Sequence, residues 1–524
     1  MRRFVAIPVV FLFVAPAALA GSAAAQSDPA RSPALTAAAA RTCDRERNGD
    51  DFNGDNFSDV VIGDPAATRS GRKKAGVVQV RYGVNDRATG ATSILAQGQA
   101  RIGGSAETGD GFGAVIAMGW VDDDGCADVV ISAPGENLGS TKDAGVVHVV
   151  FGSTAGLGRG KASLVLHAGS AALPGKPASG ERFGSALEFL QPSADASEPA
   201  SLAIGVPLRN VAGVLDAGAV DLVTFGAGGA VRAARTITQS SPAVPGTPQR
   251  SDRFGAAIAG GSFTKGCEDN KWCLDLMVGV PGKHRGAGAV VALNNPGAGS
   301  PYTGSRTWTE NSPGVKGSSE RGDGFGSSFG FDLESFTGQS YLAIGAPGED
   351  LGSVKDAGEV HLFRGGMKDD YLISQNTSGV AGVAGAGDRF GEKLLITGYY
   401  TNQYGMALVV SAPYEDVAGH KDAGTVAAFH IASGIVFGSS DRLISQNSPR
   451  VPGSAAAGEH FGSALGEVAS GLLVGVPDDT HWTGGAVLRI PWMIIDGVQG
   501  SKKFASKSLT RSGGVRFGAA IAAV

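Results

Sequence analysis

The sequence predicts an all-β protein: a seven-bladed β-propeller of four-stranded antiparallel blades, its ring closed by a C-terminal strand that joins the N-terminal blade. Three observations carry this. A Gly-rich turn leading into Phe-Gly recurs at Phe112, Phe183, Phe254, Phe325, Phe390, Phe461 and Phe517. Seven apolar runs end in a Gly/Ser-x-Pro turn at Pro65, Pro134, Pro207, Pro281, Pro347, Pro413 and Pro477, spaced 64 to 74 residues apart. Most units then carry an Ala-Gly pair that opens a third β-rich run, as at Ala75-Gly76, Ala144-Gly145, Ala357-Gly358 and Ala423-Gly424. A near-fixed period of this size marks a repeat architecture. Four short strands per unit, joined by Gly/Asn/Asp/Ser/Pro turns and almost free of helical periodicity, describe a propeller blade.

The chain begins with a secretory signal. Arg2-Arg3 form the positive region, Phe4 to Leu19 the apolar stretch, and both Ala18-Leu-Ala20 and Ala23-Ala-Ala25 fit the small-residue cleavage pattern. The apolar run is short for a membrane span and is broken by Pro8 and Pro16. Residues 1–25 are therefore expected to be removed, the cut falling after Ala20 or Ala25, and no later segment reads as a membrane span. Residues 26–42 are Ala/Ser/Pro-rich without apolar periodicity and read as a disordered leader. Residues 43–524 hold the propeller.

Composition agrees. The 524 residues include 82 Gly, about twice ordinary usage, yet 42% are hydrophobic and the Gly residues follow no collagen period. The formal net charge of −5, or −7 without Arg2 and Arg3, and the lack of basic clusters argue against nucleic acid as a partner. The product is expected to be secreted, extracellular and monomeric.

Within a blade each mark has a task. A Phe on the inner strand can bury its ring between blades while the adjacent Gly permits close backbone approach. Continuous apolar runs such as Val-Val-Ile suit strands covered on both faces, and Pro ends the strand because it cannot donate to the ladder. The first unit has Pro65 but no preceding Phe-Gly, whereas Phe517-Gly518 is followed only by Ala-Ala-Ile-Ala-Ala-Val. Residues 516–524 should thus supply the innermost strand of the blade begun at residues 51–98, which removes a free edge. Four cysteines in an exported chain favour disulfides. Cys267 and Cys273 share one loop and can bridge locally, which leaves Cys43 with Cys126.

The first unit carries the chemistry. Asp51-Phe-Asn53-Gly-Asp55-Asn-Phe57-Ser-Asp59 places oxygen side chains at positions 1, 3, 5 and 9. A calcium ion needs six or seven oxygens, and such a loop delivers alternate side chains plus a backbone carbonyl, here that of Phe57. The second unit has a degenerate copy, in which Trp120 stands at position 1 and Asp122, Asp124 and Asp128 remain. These residues resemble the FG-GAP repeat, best known from the N-terminal propellers of integrin α subunits. The resemblance spans about residues 43–524 and includes all seven Phe-Gly marks and all seven proline turns. It implies calcium as a structural ion on one face and recognition of a protein or glycan ligand by loops on the other. Without thigh or calf modules, a membrane helix or a cytoplasmic tail, the chain looks like the exported bacterial FG-GAP proteins, which points away from integrin-type signalling.

Other motifs have plainer explanations. Arg321-Gly-Asp323 lies where sister units read Gly-Asp-Arg-Phe-Gly, so the repeat accounts for it. Gly326-Ser-Ser328-Phe-Gly330 matches a nucleophile elbow in letters but lacks its strand-to-helix context. Loops after the prolines carry Glu136, Asp143, Glu349, Asp350, Asp356, Glu415, Asp416 and Asp422, which should gather on one face. Turn stabilisation by Asx side chains explains most of them. The expected function is a non-catalytic binding or adhesion module with no catalytic residues. The alternative is a secreted carbohydrate-active or esterase-type enzyme using the propeller face or channel.

Overall fold

The computed structural model describes residues 43–44, 50–83, 91–190, 200–261, 263, 275–294, 305–332, 340–367, 369–398, 406–432, 434–435, 442–482, 484–492, 507–510 and 516–522. The expected signal and leader, and the Cys267–Cys273 pair, lie outside these residues. The described chain folds into seven antiparallel sheets. The second blade shows the common order: Ile116–Gly119 innermost, then Asp128–Ala133, Val146–Val150 and Leu164–Leu166 outermost. Consecutive inner strands touch one another around the whole circle, the last meeting the first. In the sixth blade the third strand, Thr425–Ala432, pairs with the short Gly434–Ile435 as well as with the outer Arg442–Ile444.

Ring closure follows the sequence expectation. Ala520–Ala522 pairs antiparallel with Val60–Asp64, with Ile521 opposite Ile62. The outer two strands of that first blade are Val77–Arg81 and Thr92–Leu95. Burial explains the composition of each layer. The second strands Asp128–Ala133 and Tyr341–Ala346 are buried along their whole length, as apolar runs covered on both faces must be. The outer strand Thr92–Leu95 is buried only at its end. Apolar clusters form between blades: Val61, Val78 and Val80 of the first pack with Phe112, Val129 and Ile131 of the second. At the seam Phe517 packs with Val60 and Ile62 on one side and Leu473 and Val487 on the other.

The Phe-Gly dipeptide differs in one respect from expectation. It lies in the turn before the inner strand, not on it, because its two amides are committed to different blades. The seven Phe N–H groups donate to Ala75, Ala144, Ala217, Ala287, Ala357, Ala423 and Gly484 of the preceding blade at 2.9 to 3.0 Å. The seven Gly N–H groups donate within their own blade, to the carbonyl of the Gly or Ser of the Gly/Ser-x-Pro turn. Gly113 shows why side chains are excluded. Its φ is +91°, and its carbonyl oxygen would lie 2.2 Å from a Cβ on Gly63. Ser132 and Ser411 replace that glycine in two blades, and their hydroxyls accept the N–H groups of Val115 and Lys393. Each proline then opens a β-turn, closed for example by Glu136 N–H on Ala133 O and Glu349 N–H on Ala346 O.

Phe225 ends the third strand of the third blade and Phe151 directly follows that of the second, and both are buried. His148 and His361 occupy one position on the third strands of the second and fifth blades. His148 is fully buried, its ring edge-on to that of Phe112 at 5.3 Å.

Two outcomes test this account of the core. Phe517→Ala should lower unfolding free energy by about 3–5 kcal/mol, as Phe254→Ala should, in a denaturant titration; a loss well below that of Phe254→Ala would mean an open seam. Burial holds the His148 imidazole down at about 4 from 6.5. Its neutral form is therefore favoured by folding, and the stability it contributes is present above about pH 6.5 and lost as pH falls toward about 4. The stability difference between the native protein and His148→Gln should shift against the native protein by about 3 kcal/mol across that window.

Candidate functional site

The acid loop of the first blade lies at the entry to the second strand Val60–Asp64. Its first residue organises the turn. Asp51 Oδ1 accepts N–H bonds from Asn53 (3.0 Å), Gly54 (2.7 Å) and Asp55 (3.3 Å), and Oδ2 accepts one from Asn56 at 2.7 Å. Asn56 adopts φ +63°, the left-handed conformation expected where calcium loops carry Gly. Asp55 Oδ1 accepts only the Phe57 N–H, at 3.0 Å, and stands at the partly open rim. Asn53 is 2% exposed, and its Oδ1 is buried without a hydrogen-bond partner. Asp50 Oδ2 is likewise buried and unpartnered. The Asp50 carboxyl is pushed up to about 7, chiefly by burial. Burial also drives Asp59 up to about 8, with the charges of Asp55 and Asp51 adding to it. A divalent cation would relieve this concentration of desolvated acid, so the residues present fit calcium.

Asp59 has a second task. Its carboxylate accepts N–H bonds from Phe52 and Gly83, each at 2.8 Å. Asp128 clamps Val121 and Gly152 in the same way at 2.7 and 2.8 Å. Asp275, at the same place in the fourth blade, accepts from Phe263 at 2.9 Å. Sequence reasoning missed Asp275 because its loop lacks the alternating acids. The available signal was an Asp directly before the second apolar run, shared by Asp59-Val-Val, Asp128-Val-Val and Asp275-Leu-Met.

The degenerate second loop keeps its turn but has another source of positive charge. Asp124 Oδ1 accepts the Cys126 N–H at 2.9 Å, and the Lys161 ammonium stands 3.7 Å from Asp122 Oδ2 and 4.0 Å from the centre of the Phe151 ring. The two loops are tied together. Ala127 donates to Asp51 O, Ser153 donates to Phe52 O, and Cys43 and Cys126 form a disulfide with Cα atoms 4.7 Å apart. Beside the first loop lies a cleft of about 340 Å³ lined by residues including Asn53, Asp55, Tyr82 and Arg159, with Phe57 half-exposed at its lip.

The loops joining second to third strands open on the opposite end of each blade. Here the acids divide into two groups. Asp350 and Asp416 accept the N–H groups of Asp356 and Asp422 at 2.9 Å, as Asn137 and Asn210 do for Asp143 and Asp216 at 3.0 Å. These are turn stabilisers, and Asp143, Asp356 and Asp422 sit at φ near +50°. The residue two after each proline instead points into the joint between blades. Glu136 takes Gln97 Nε2 at 2.5 Å, Glu415 takes Gln375, and Asp479 takes Gln446 at 2.7 Å. At two joints the sign is reversed: Arg209 pairs with Asp221 at 2.8 Å, and Lys283 with Asp252 at 2.8 Å. Glu136, Glu415 and Asp479 therefore stand at separate joints, whereas Glu349 lies with Glu310 and Asp323, one carboxylate oxygen of each within 4.8 Å of the others.

Residues of the motifs with enzymatic or adhesive lettering are engaged in hydrogen bonds within the fold. Ser328 donates its hydroxyl to Gly391 O at 2.5 Å, and Asp323 accepts the Glu320 N–H within its own turn. On the same end as the proline turns, a cleft of about 340 Å³ in the fourth blade is lined by residues including Arg250, Arg253, Arg285, Gly286 and Gly322. All three arginines are exposed, and sequence reasoning missed the cleft because Arg285 lies far along the chain from Arg250 and Arg253. Among the described residues no helix is long and apolar enough to cross a membrane. A scan against protein-family models and a search of curated proteins both return no match.

Proposed function

We propose that the chain is a secreted, calcium-stabilised propeller of the FG-GAP, integrin-α-like type that acts as a non-catalytic extracellular binding or adhesion module. The observation that carries the binding reading is the cleft with three exposed guanidiniums, Arg250, Arg253 and Arg285, on a chain of net negative charge. Planar guanidiniums on a loop surface favour a carboxylate or sulfate ligand, as on an acidic glycan or an acidic protein segment. Most acids on that end are bound up in turns and blade joints, and Glu310, Asp323 and Glu359, which gather at one joint, are buried; this supports binding over hydrolysis, since a glycosidase needs two carboxyls facing one scissile bond of a bound sugar.

Calcium would be held by Asp51, Asn53, Asp55, the Phe57 carbonyl and Asp59. The ion would supply charge compensation and rigidity to the loop that meets the second blade. Asp122, Asp124 and Asp128 are the weaker candidate, with Lys161 already beside Asp122.

Binding to an array of sulfated and carboxylated glycans and acidic peptides tests the binding half. The native protein should retain an acidic ligand, and Arg253→Glu with Arg285→Glu should abolish retention without changing the melting temperature. Equal retention by the double variant sinks the reading, and turnover of any glycan on the array would revive the enzyme. For the metal half, calcium at about 100 times its Kd should raise stability by about 2.7 kcal/mol over chelated protein. Asp55→Ala, which removes a rim carboxylate with a single hydrogen bond, should melt alike in calcium and chelator. A native melting temperature indifferent to chelation contradicts the assignment.

A further inference from the structure

The joint between the fourth and fifth blades is chemically unlike the others. At five other joints the side chain two after the proline, Glu136, Arg209, Lys283, Glu415 or Asp479, meets a glutamine amide or an ion-pair partner, and in the first blade that place is the buried Ala67. Here that place is Glu349, and Glu310 stands where other joints have Gln97, Gln375 or Gln446. Glu359 and His361, from the third strand of the fifth blade, complete the group. Glu310 is 1% exposed, Glu359 3% and His361 0%. Both carboxylate oxygens of Glu310, Glu359 Oε1 and His361 Nε2 are buried without a hydrogen-bond partner.

The geometry is that of a ligand set. His361 Nε2 lies 3.4 Å from Glu310 Oε1 and 3.4 Å from Glu359 Oε1. One ligand atom from each of the three residues falls within 4.8 Å of the others. A tetrahedral ion with ligand distances of about 2.0–2.1 Å has its ligands about 3.3–3.4 Å apart. The imidazole is oriented from behind. Asp370 Oδ2 lies 2.8 Å from His361 Nδ1 and is itself fixed by the Lys316 N–H at 2.7 Å. A carboxylate on Nδ1 holds the ring proton there and turns the Nε2 lone pair toward the two glutamates. Gly317, at φ +81°, borders the cluster: a Cβ there would be in ordinary contact with Glu359 Oε1 at 3.4 Å and Glu310 Oε1 at 3.7 Å.

We propose that this joint binds one divalent transition-metal ion of the zinc class through His361 Nε2, Glu310 and Glu359, with the half-buried Glu349 beside Glu310. An imidazole nitrogen among carboxylates selects zinc-like ions over calcium, which takes oxygen ligands. The ion staples two blades, since Glu310 follows the outer strand of the fourth and the other ligands belong to the fifth. The site is separate from the acid loop at Asp51–Asp59 and does not depend on calcium binding there.

The test begins with native protein stripped of metal, titrated with zinc and with cobalt(II), dialysed and analysed for metal content. One zinc per chain, visible absorption bands of tetrahedral cobalt(II) and a raised melting temperature with zinc are expected. Glu310→Gln restores the glutamine found at other joints; it should fold and lose stoichiometric uptake. Asp370→Asn should weaken binding by about 10- to 100-fold, while Asp55→Ala should leave it unchanged. Native protein that retains no stoichiometric zinc or cobalt overturns the proposal, as does uptake by a folded Glu310→Gln protein equal to the native level. The native stoichiometry and cobalt spectrum decide the matter even where a variant fails to fold.

Discussion

Everything in this ring depends on one dipeptide that reaches in two directions. The Phe amide is bonded to the blade before it and the Gly amide to the blade it opens, so successive sheets are joined by main-chain hydrogen bonds as well as by apolar packing. The approach is close enough that a Cβ on Gly63 would overlap the Gly113 carbonyl. Buried amides need partners in any fold. Here that demand is met seven times by the same pair of hydrogen bonds.

The polar chemistry follows from this packing. With backbones so near, the side chains two after the prolines and those beginning the connection to the next blade are forced into a shared buried space. Each joint must balance the charge it holds, because an unpaired buried charge is costly. Gln–Glu contacts and the Arg209 and Lys283 ion pairs are two solutions. The cluster around His361 gathers five acids, Glu310, Asp323, Glu349, Glu359 and Asp370, and the proposed ion is a third solution.

Much of this was legible in the sequence. The count of blades, the seam and the Cys43–Cys126 bridge followed from marks repeated at fixed spacing and from elimination. Asx stabilisation of the proline loops followed from residue type alone. What the sequence concealed is what the ring brings together from distant positions. Glu310 and His361 are in different blades, and nothing local in Thr309-Glu310-Asn311 hints at a histidine partner. Arg250 and Arg285 likewise face one cleft from separate loops. The placement of Phe in the turn was misjudged because strand patterning cannot distinguish a ladder residue from one whose amide crosses to a neighbour.

The central claim is that seven joints closed by the same Phe amide hydrogen bond, the seam included, make one cooperative ring. Native-state hydrogen exchange at the seven Phe amides measures this most directly, since the Phe517 N–H donates to Gly484 O at 2.9 Å just as Phe254 donates to Ala217 at 3.0 Å. The account predicts that Phe517 and Phe254 exchange with the same free energy and the same dependence on denaturant, both tracking global unfolding. A Phe517 amide that exchanges orders of magnitude faster, with no dependence on denaturant, would show a seam that opens locally and would contradict it.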